Sequence, residues 1–235
     1  MEIEYCNRIK SICYKDENIF RKYYKYSNDP SVEREAKFAN VFKINSLPVS
    51  ECLKTGFSVE RQMRYNEFEY IEITPISEAS IDEDIVEKTL KLIESIQCVK
   101  YEDDKFWDLW YEKDLICSLD YNPQLKNKVI NLIKEIKSYP KTIIHGDFSL
   151  KNFSYVTGTN DLFLYDFQTV CVGPIDWDLA YFIATLPIEC SNLFNYDERI
   201  LTMIKIVTAV RLGRGSRSEM SIKRRKEIHE YWWSK

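Results

Sequence analysis

The 235-residue sequence predicts an α+β fold of two lobes, a small antiparallel-sheet lobe with one helix over residues 1–73 and a mainly helical lobe over 74–235. Three observations carry this expectation. β-rich runs at Arg8–Tyr14, Ile19–Tyr26, Phe57–Met63 and Glu67–Ile73 fill the first third around a single helical pattern. Thr74-Pro75 then marks a change of character. Beyond it, helical spacing dominates and strand-like runs are short.

In order, Lys15-Asp16-Glu17-Asn18 is a polar turn that joins the first two runs into a hairpin. Asn28-Asp29-Pro30-Ser31 supplies helix-start chemistry, and Ala36, Ala39, Val41 and Phe42 share one helical side as far as Lys43. The second hairpin is expected to turn at Arg64-Tyr65-Asn66. Ile85, Leu90, Ile93 and Ile96 mark a helix from Asp82 to Gln97, and Val129–Ile136 marks another. Strands are expected at Thr142–Ile144, Phe153–Val156 and Leu162–Tyr165, with helices from about Asp178, over Ile200–Arg211 and over Met220–Trp232.

A hydrophobic fraction of 45% with 14% aromatic residues excludes a disordered chain. A net charge of -4 gives no general reason to expect nucleic acid as a partner. The start Met1-Glu-Ile-Glu-Tyr-Cys6 lacks signal-peptide character, and no apolar run approaches the roughly 20 residues of a membrane span. Seven scattered cysteines, never in a CxxC spacing, read as reduced and buried. A cytoplasmic location is the expectation.

The chemistry concentrates between His145 and Asp178. His145-Gly146-Asp147-Phe148-Ser149-Leu150-Lys151-Asn152 lies between two strand-like runs, and Asp166 follows the apolar strand Leu162-Phe163-Leu164-Tyr165. Phosphoryl transfer needs such a set: one carboxylate to take the proton of the acceptor hydroxyl, and an amide oxygen and a second carboxylate to hold Mg²⁺ on nucleotide phosphates. Asp147, Asn152 and Asp166 fill these places. A hairpin around residues 157–161 would bring Asp166 beside the loop.

These residues resemble the catalytic loop of the aminoglycoside phosphotransferase and choline kinase superfamily, His-x-Asp-x-x-x-x-Asn with a metal-binding Asp on the next hairpin. Gly173-Pro174-Ile175-Asp176-Trp177-Asp178-Leu179-Ala180 is similar to the turn that precedes its Asp-Leu-Ala helix. The motif match spans residues 145–180. The resemblance implies a protein-kinase-like fold and ATP or GTP as donor with Mg²⁺. It implies Asp147 as catalytic base, Asn152 and Asp166 at the metal, and Asp178 as a helix N-cap bracing the loop. It also implies a strand Lys on the phosphates and a helix Glu holding it. Strand alternation puts Lys22 and Tyr24 on one face, which makes Lys22–Glu35 the pair, with Lys25 and Glu33 as the competing choices. The hinge Glu69-Tyr70-Ile71 would offer backbone groups to the base.

Two departures stand out. The first glycine is Gly56, so strand one is at best the stub Met1–Tyr5, with Cys6-Asn7 where a Gly-rich loop would stand. Asp166-Phe167-Gln168 ends on an amide where the family often has an acid.

The acceptor is expected to be a small hydroxylated, cationic molecule. Glu102, Asp103, Asp104 and Asp108, interleaved with Phe106, Trp107 and Trp110, would attract it, with the tail Tyr231-Trp232-Trp233 nearby. The bland alternative is an amphipathic helix with its acids in water. The basic run Lys223–Lys226 reads as a solvated helix end. A non-catalytic, kinase-like nucleotide-binding protein competes with the enzyme reading because the Gly-rich loop is missing. A protein kinase is a third reading, weakened by the lack of an Ala-Pro-Glu motif.

Overall fold

The computed structural model describes residues 3–7, 11–25, 30–100, 116–213 and 219–235. The chain divides into two units, Met1–Ile76 with Lys151–Val170, and Ser77–Leu150 with Cys171–Lys235.

The first unit is built on a five-stranded antiparallel sheet of strands β1 (Ile3–Asn7), β2 (Ser11–Asp16), β3 (Ile19–Tyr24), β4 (Cys52–Ser58) and β5 (Met63–Glu69), in the order β1-β2-β3-β5-β4. Helix α1 (Ser31–Ile44) follows Pro30 and buries Val32, Glu35, Phe38, Ala39 and Phe42, the recurrence of one helical face. Glu33 in its first turn and Lys43 in its last oppose the helix dipole. A second sheet in this unit contains β6 (Ile73–Pro75), β8 (Phe153–Val156) and β9 (Leu162–Leu164), in the order β6-β8-β9. Two expectations need correction here. The second hairpin turns at residues 59–62, where Gln62 takes a left-handed φ of 53°, not at Arg64-Tyr65-Asn66. Asn66 is fully buried mid-strand instead, its amide donating to Tyr24 Oη at 2.8 Å and to the Val32 carbonyl at 2.9 Å. Cys6 and Asn7 are strand residues paired with Cys13 and Ile12, not a loop.

In the second unit, β7 (Lys141–Ile144) pairs antiparallel with β10 (Cys171–Pro174). Helix α2 (Glu83–Gln97) starts at Asp82, whose carboxylate accepts from Ile85 N at 3.0 Å. Helix α3 (Pro123–Ile136) starts likewise at Asn122, with Pro123 in its first turn. Helix α4 (Trp177–Thr185) is buried almost all round, and α5 (Glu198–Gly213) buries Ile200–Ile204 and Ile206–Val210, so these two form the centre. Helix α6 (Glu219–Trp233) sends Ile228 and Trp232 inward, and Trp233 Nε1 donates to the Lys205 carbonyl at 3.1 Å. Among the described cysteines, Cys13, Cys52 and Cys171 are buried as expected, whereas Cys98 and Cys117 are exposed. No helix among the described residues is long and apolar enough to cross a membrane.

Gly213 closes α5 against the segment before α3. A Cβ there would lie 1.8 Å from the Ser118 carbonyl oxygen, a backbone atom that no rotamer change can move. Gly213→Ala is therefore expected to destabilise the protein by about 1–3 kcal/mol, lowering Tm by roughly 3–10 °C. A thermal melt that superimposes on the parent's would show that this contact is not maintained.

Candidate active site

Lys22 is the centre of the polar cluster in the first unit. It lies on β3, 8% exposed, and its Nζ is 2.9 Å from both carboxylate oxygens of Glu35 on α1 and 3.0 Å from Asp166 Oδ1. An ammonium has three N–H donors, and here each has a carboxylate oxygen. Burial alone would lower the Lys22 pKa, but Asp166 and then Glu35 outweigh it and hold the ammonium above its ordinary range. Burial pushes the Glu35 carboxyl up, and Lys22 pulls against that rise.

Glu35 is held by more than Lys22. Tyr24 Oη donates to its Oε2 at 2.6 Å and Gln168 Nε2 donates to the same oxygen at 3.2 Å. Burial, reinforced by Glu35, raises the Tyr24 phenol well above its ordinary value, so its proton stays available to Glu35. Because Asn66 donates to the phenol oxygen, that proton has one direction left to it.

Asp166 follows β9 with φ 68° and ψ 64°, the left-handed region that Asp tolerates better than most residues. Its neighbour Tyr165 donates its N–H to the Asn152 carbonyl at 2.9 Å, which extends the β8–β9 ladder by one pair and sets Asn152 beside the Asp166 turn. An amide oxygen and a carboxylate, both hard oxygen donors, fit Mg²⁺, which keeps water and phosphate as its other ligands. Among the described residues no group of three His, Cys, Asp or Glu forms a metal cage.

A cavity of about 260 Å³ opens onto this cluster within the same unit. Lys22, Glu35 and Asp166 line its polar part, and Phe20, Phe68, Ile71, Ile73 and Phe163 supply apolar walls. Glu69 and Tyr70 line it too, but the N–H groups of both and the Glu69 carbonyl have partners. Glu69 N–H donates to Glu51 O at 3.1 Å, its carbonyl accepts from Ser50 Oγ at 2.7 Å, and Tyr70 N–H donates to Asn18 O at 2.8 Å.

In the second unit, the His145–Leu150 loop is fixed by one carboxylate. Asp178, 1% exposed, accepts His145 N–H at 2.6 Å and Gly146 N–H at 2.9 Å. Burial pushes the Asp178 carboxyl up, and His145 with these two N–H groups pulls it back. Gly146 has φ 83°, which a Cβ would strain, so the glycine is what lets both amides face one carboxylate. Asp147 is half-buried, and its N–H donates to His145 Nδ1 at 3.4 Å. The helix N-cap is Asp176, without a side-chain bond. Asp178 sits one turn-position inside α4 and serves the loop alone, a correction to the capping role expected of it.

The sequence profile of the phosphotransferase enzyme family matches residues 15–197, more than three quarters of the chain. The chain belongs to this family. It is a small-molecule phosphotransferase with a kinase-like fold, as the catalytic-loop motif implied. Structures it resembles include amicoumacin kinase hAmiN (14% identity, TM-score 0.73, covering 98% of this chain and 88% of that one). Choline kinase LicA from Streptococcus pneumoniae is also similar (16%, TM-score 0.71, 100% and 94%), as is aminoglycoside 2'-phosphotransferase-IIIa (11%, TM-score 0.68, 100% and 92%). No curated protein matches the sequence.

The remaining site candidates of this phosphotransferase are placed as follows. Glu33, the alternative to Glu35, pairs with Arg64. Lys25, the alternative to Lys22, lies beyond the last residue of β3. Asp103, Asp104 and Asp108, with the rest of the acidic–aromatic segment, lie outside the described residues. Trp232 is 1% exposed, packed edge-on against Tyr196 and Tyr231, and so belongs to the core and not to an acceptor wall. Lys223 and Lys226 pair with Glu227 and Glu230 one turn on, and Arg224 with Glu78 at 2.7 Å, as on a solvated helix face. Sequence reading passed over Tyr24 and Gln168 as partners of Glu35. Tyr24 had one signal, its position two residues from Lys22 on the same strand face.

Proposed function

We propose that this phosphotransferase moves the terminal phosphoryl group of ATP or GTP to a hydroxyl of a small, cationic acceptor. The observation that carries this reading is the buried Lys22–Glu35 pair with Asp166 at the wall of one cavity. A scaffold has no need of the buried Lys22–Glu35 pair with the half-buried Asp166 beside it, because apolar residues of similar volume often replace a buried ion pair without loss of stability.

In this reading Lys22 holds donor phosphates and Glu35 orients Lys22. Asn152 and Asp166 hold Mg²⁺, which when bound neutralises charge on the phosphate oxygens. Asp147 takes the proton of the acceptor hydroxyl. Of the hinge residues, Ile71 is assigned as the N–H donor to the base, since the Glu69 and Tyr70 N–H groups are already spent, which leaves those two residues their carbonyls. The similar structures support a nucleotide donor and a divalent metal, because they include GDP complexes and a complex with AMP-PNP and Ca²⁺. They also support a hydroxylated small acceptor, being named for choline, aminoglycosides and amicoumacin. The cationic character rests on Asp103, Asp104 and Asp108 in the sequence.

The test is nucleoside diphosphate release from ATP and GTP over a panel of hydroxylated amines, neutral sugars and antibiotics. Turnover is expected with an amine, with a KM that rises with salt, abolished by Lys22→Ala and retained by Lys25→Ala. Metal-independent nucleotide binding without turnover on any acceptor would favour the non-catalytic binding protein.

A further inference from the structure

Gln168 stands where the family often carries an acid, and the structure gives it a different task. Its Nε2 donates to Glu35 Oε2 at 3.2 Å, and its main-chain carbonyl accepts from Nη1 of Arg34, the preceding residue of α1, at 3.3 Å. Between it and Asp166, Phe167 is 3% exposed and packs edge-on against Phe42 of α1 at 5.3 Å. The turn that carries Asp166 is thus fastened to α1 at three places, the adjacent residues Arg34 and Glu35 and, about two helical turns on, Phe42. Asp166 itself sits in a left-handed conformation that the surroundings must maintain.

We propose that Gln168 is a positioning residue, clamping the Asp166 turn to Glu35 so that the lysine that grips phosphate and the carboxylate that holds metal are set as one piece. The inference rests on the functional reading above for what Lys22 and Asp166 do, but the clamp itself is a property of the protein alone. An amide suits this position because Glu35 Oε2 needs a donor that keeps its proton at every working pH. An ionised acid at residue 168 would instead face Glu35 and Asp166, with Lys22 already engaged by both and Arg34 on the carbonyl.

Two variants test it, Gln168→Met and Gln168→Glu. Gln168→Met keeps the length of the side chain and lacks the donor to Glu35. Measured without metal or nucleotide, its Tm is expected to fall by roughly 3–10 °C, the scale of one lost hydrogen bond to a charged group. Gln168→Glu loses the donor and adds a carboxylate, and should fall at least as far. With nucleotide present, both variants should need more Mg²⁺, by roughly tenfold to a hundredfold. Acceptor KM should not change. A Gln168→Met melt that superimposes on the parent's, or an unchanged Mg²⁺ requirement in both variants, overturns the clamp. If the parent binds no nucleotide the functional reading fails, and the metal-free melts still decide the clamp by themselves.

Discussion

Asp147→Asn is expected to cut turnover by a factor on the order of 10²–10⁴, the usual scale for a positioned acid–base group, with nucleotide affinity and Tm nearly unchanged. The separation follows from how the loop is held. His145 and Gly146 give their N–H groups to Asp178, and Asp147 contributes its own N–H to His145 Nδ1. None of these bonds uses the Asp147 carboxylate as the anchor of the loop, and Asn keeps its shape. What Asn lacks is a basic oxygen that can take the proton of an acceptor hydroxyl. The measurement is kcat and KM for both substrates beside calorimetric nucleotide binding. Near-normal turnover would remove Asp147 from the chemistry. A loss of nucleotide affinity matching the loss of kcat would mean that the loop had moved.

Much of this was legible because certain residues leave local marks. The turn Lys15–Asn18 is polar between β-rich runs, and the structure joins β2 to β3 there. Pro30-Ser31, the end of the helix-start run Asn28-Asp29-Pro30-Ser31, marks the start of α1. The turn at residues 59–62 left no such mark, being built of Val, Glu, Arg and Gln, with a left-handed Gln62 in place of a glycine. Asn66 looked like the turn residue because asparagine favours turns. Its actual use, a buried amide bridging Tyr24 and Val32, depends on strand and helix neighbours that only the fold supplies.

The site divides in the same way. The spacing of Asp147, Asn152 and Asp166 is a local signal, as is the alternation that puts Lys22 and Tyr24 on one face of β3. The clamp from Gln168 to Glu35 joins residues 133 apart and follows no period, so nothing in the sequence announces it. The acceptor side is the reverse case, strongly marked in composition at residues 101–114 and outside the described residues.

Asp166→Ala is expected to abolish the part of nucleotide affinity that depends on Mg²⁺ and to reduce turnover by at least roughly 10²-fold, since a metal's share of transition-state stabilisation is several kcal/mol. Metal-free nucleotide binding should move the other way. In the parent, Asp166 occupies one of the three donors of Lys22, and a phosphate must displace it to reach that ammonium. Removing the carboxylate frees the donor while Glu35 still fixes the side chain at 2.9 Å. The two halves of the prediction thus have opposite signs, which a general loss of folding could not produce. Calorimetry on parent and variant, each with and without Mg²⁺, reads both. If Mg²⁺ strengthens nucleotide binding equally in the two proteins, Asp166 does not hold the metal. If metal-free affinity falls together with the metal-dependent increment, the Lys22–Asp166 pair is part of the binding surface and not a resting contact that substrate displaces.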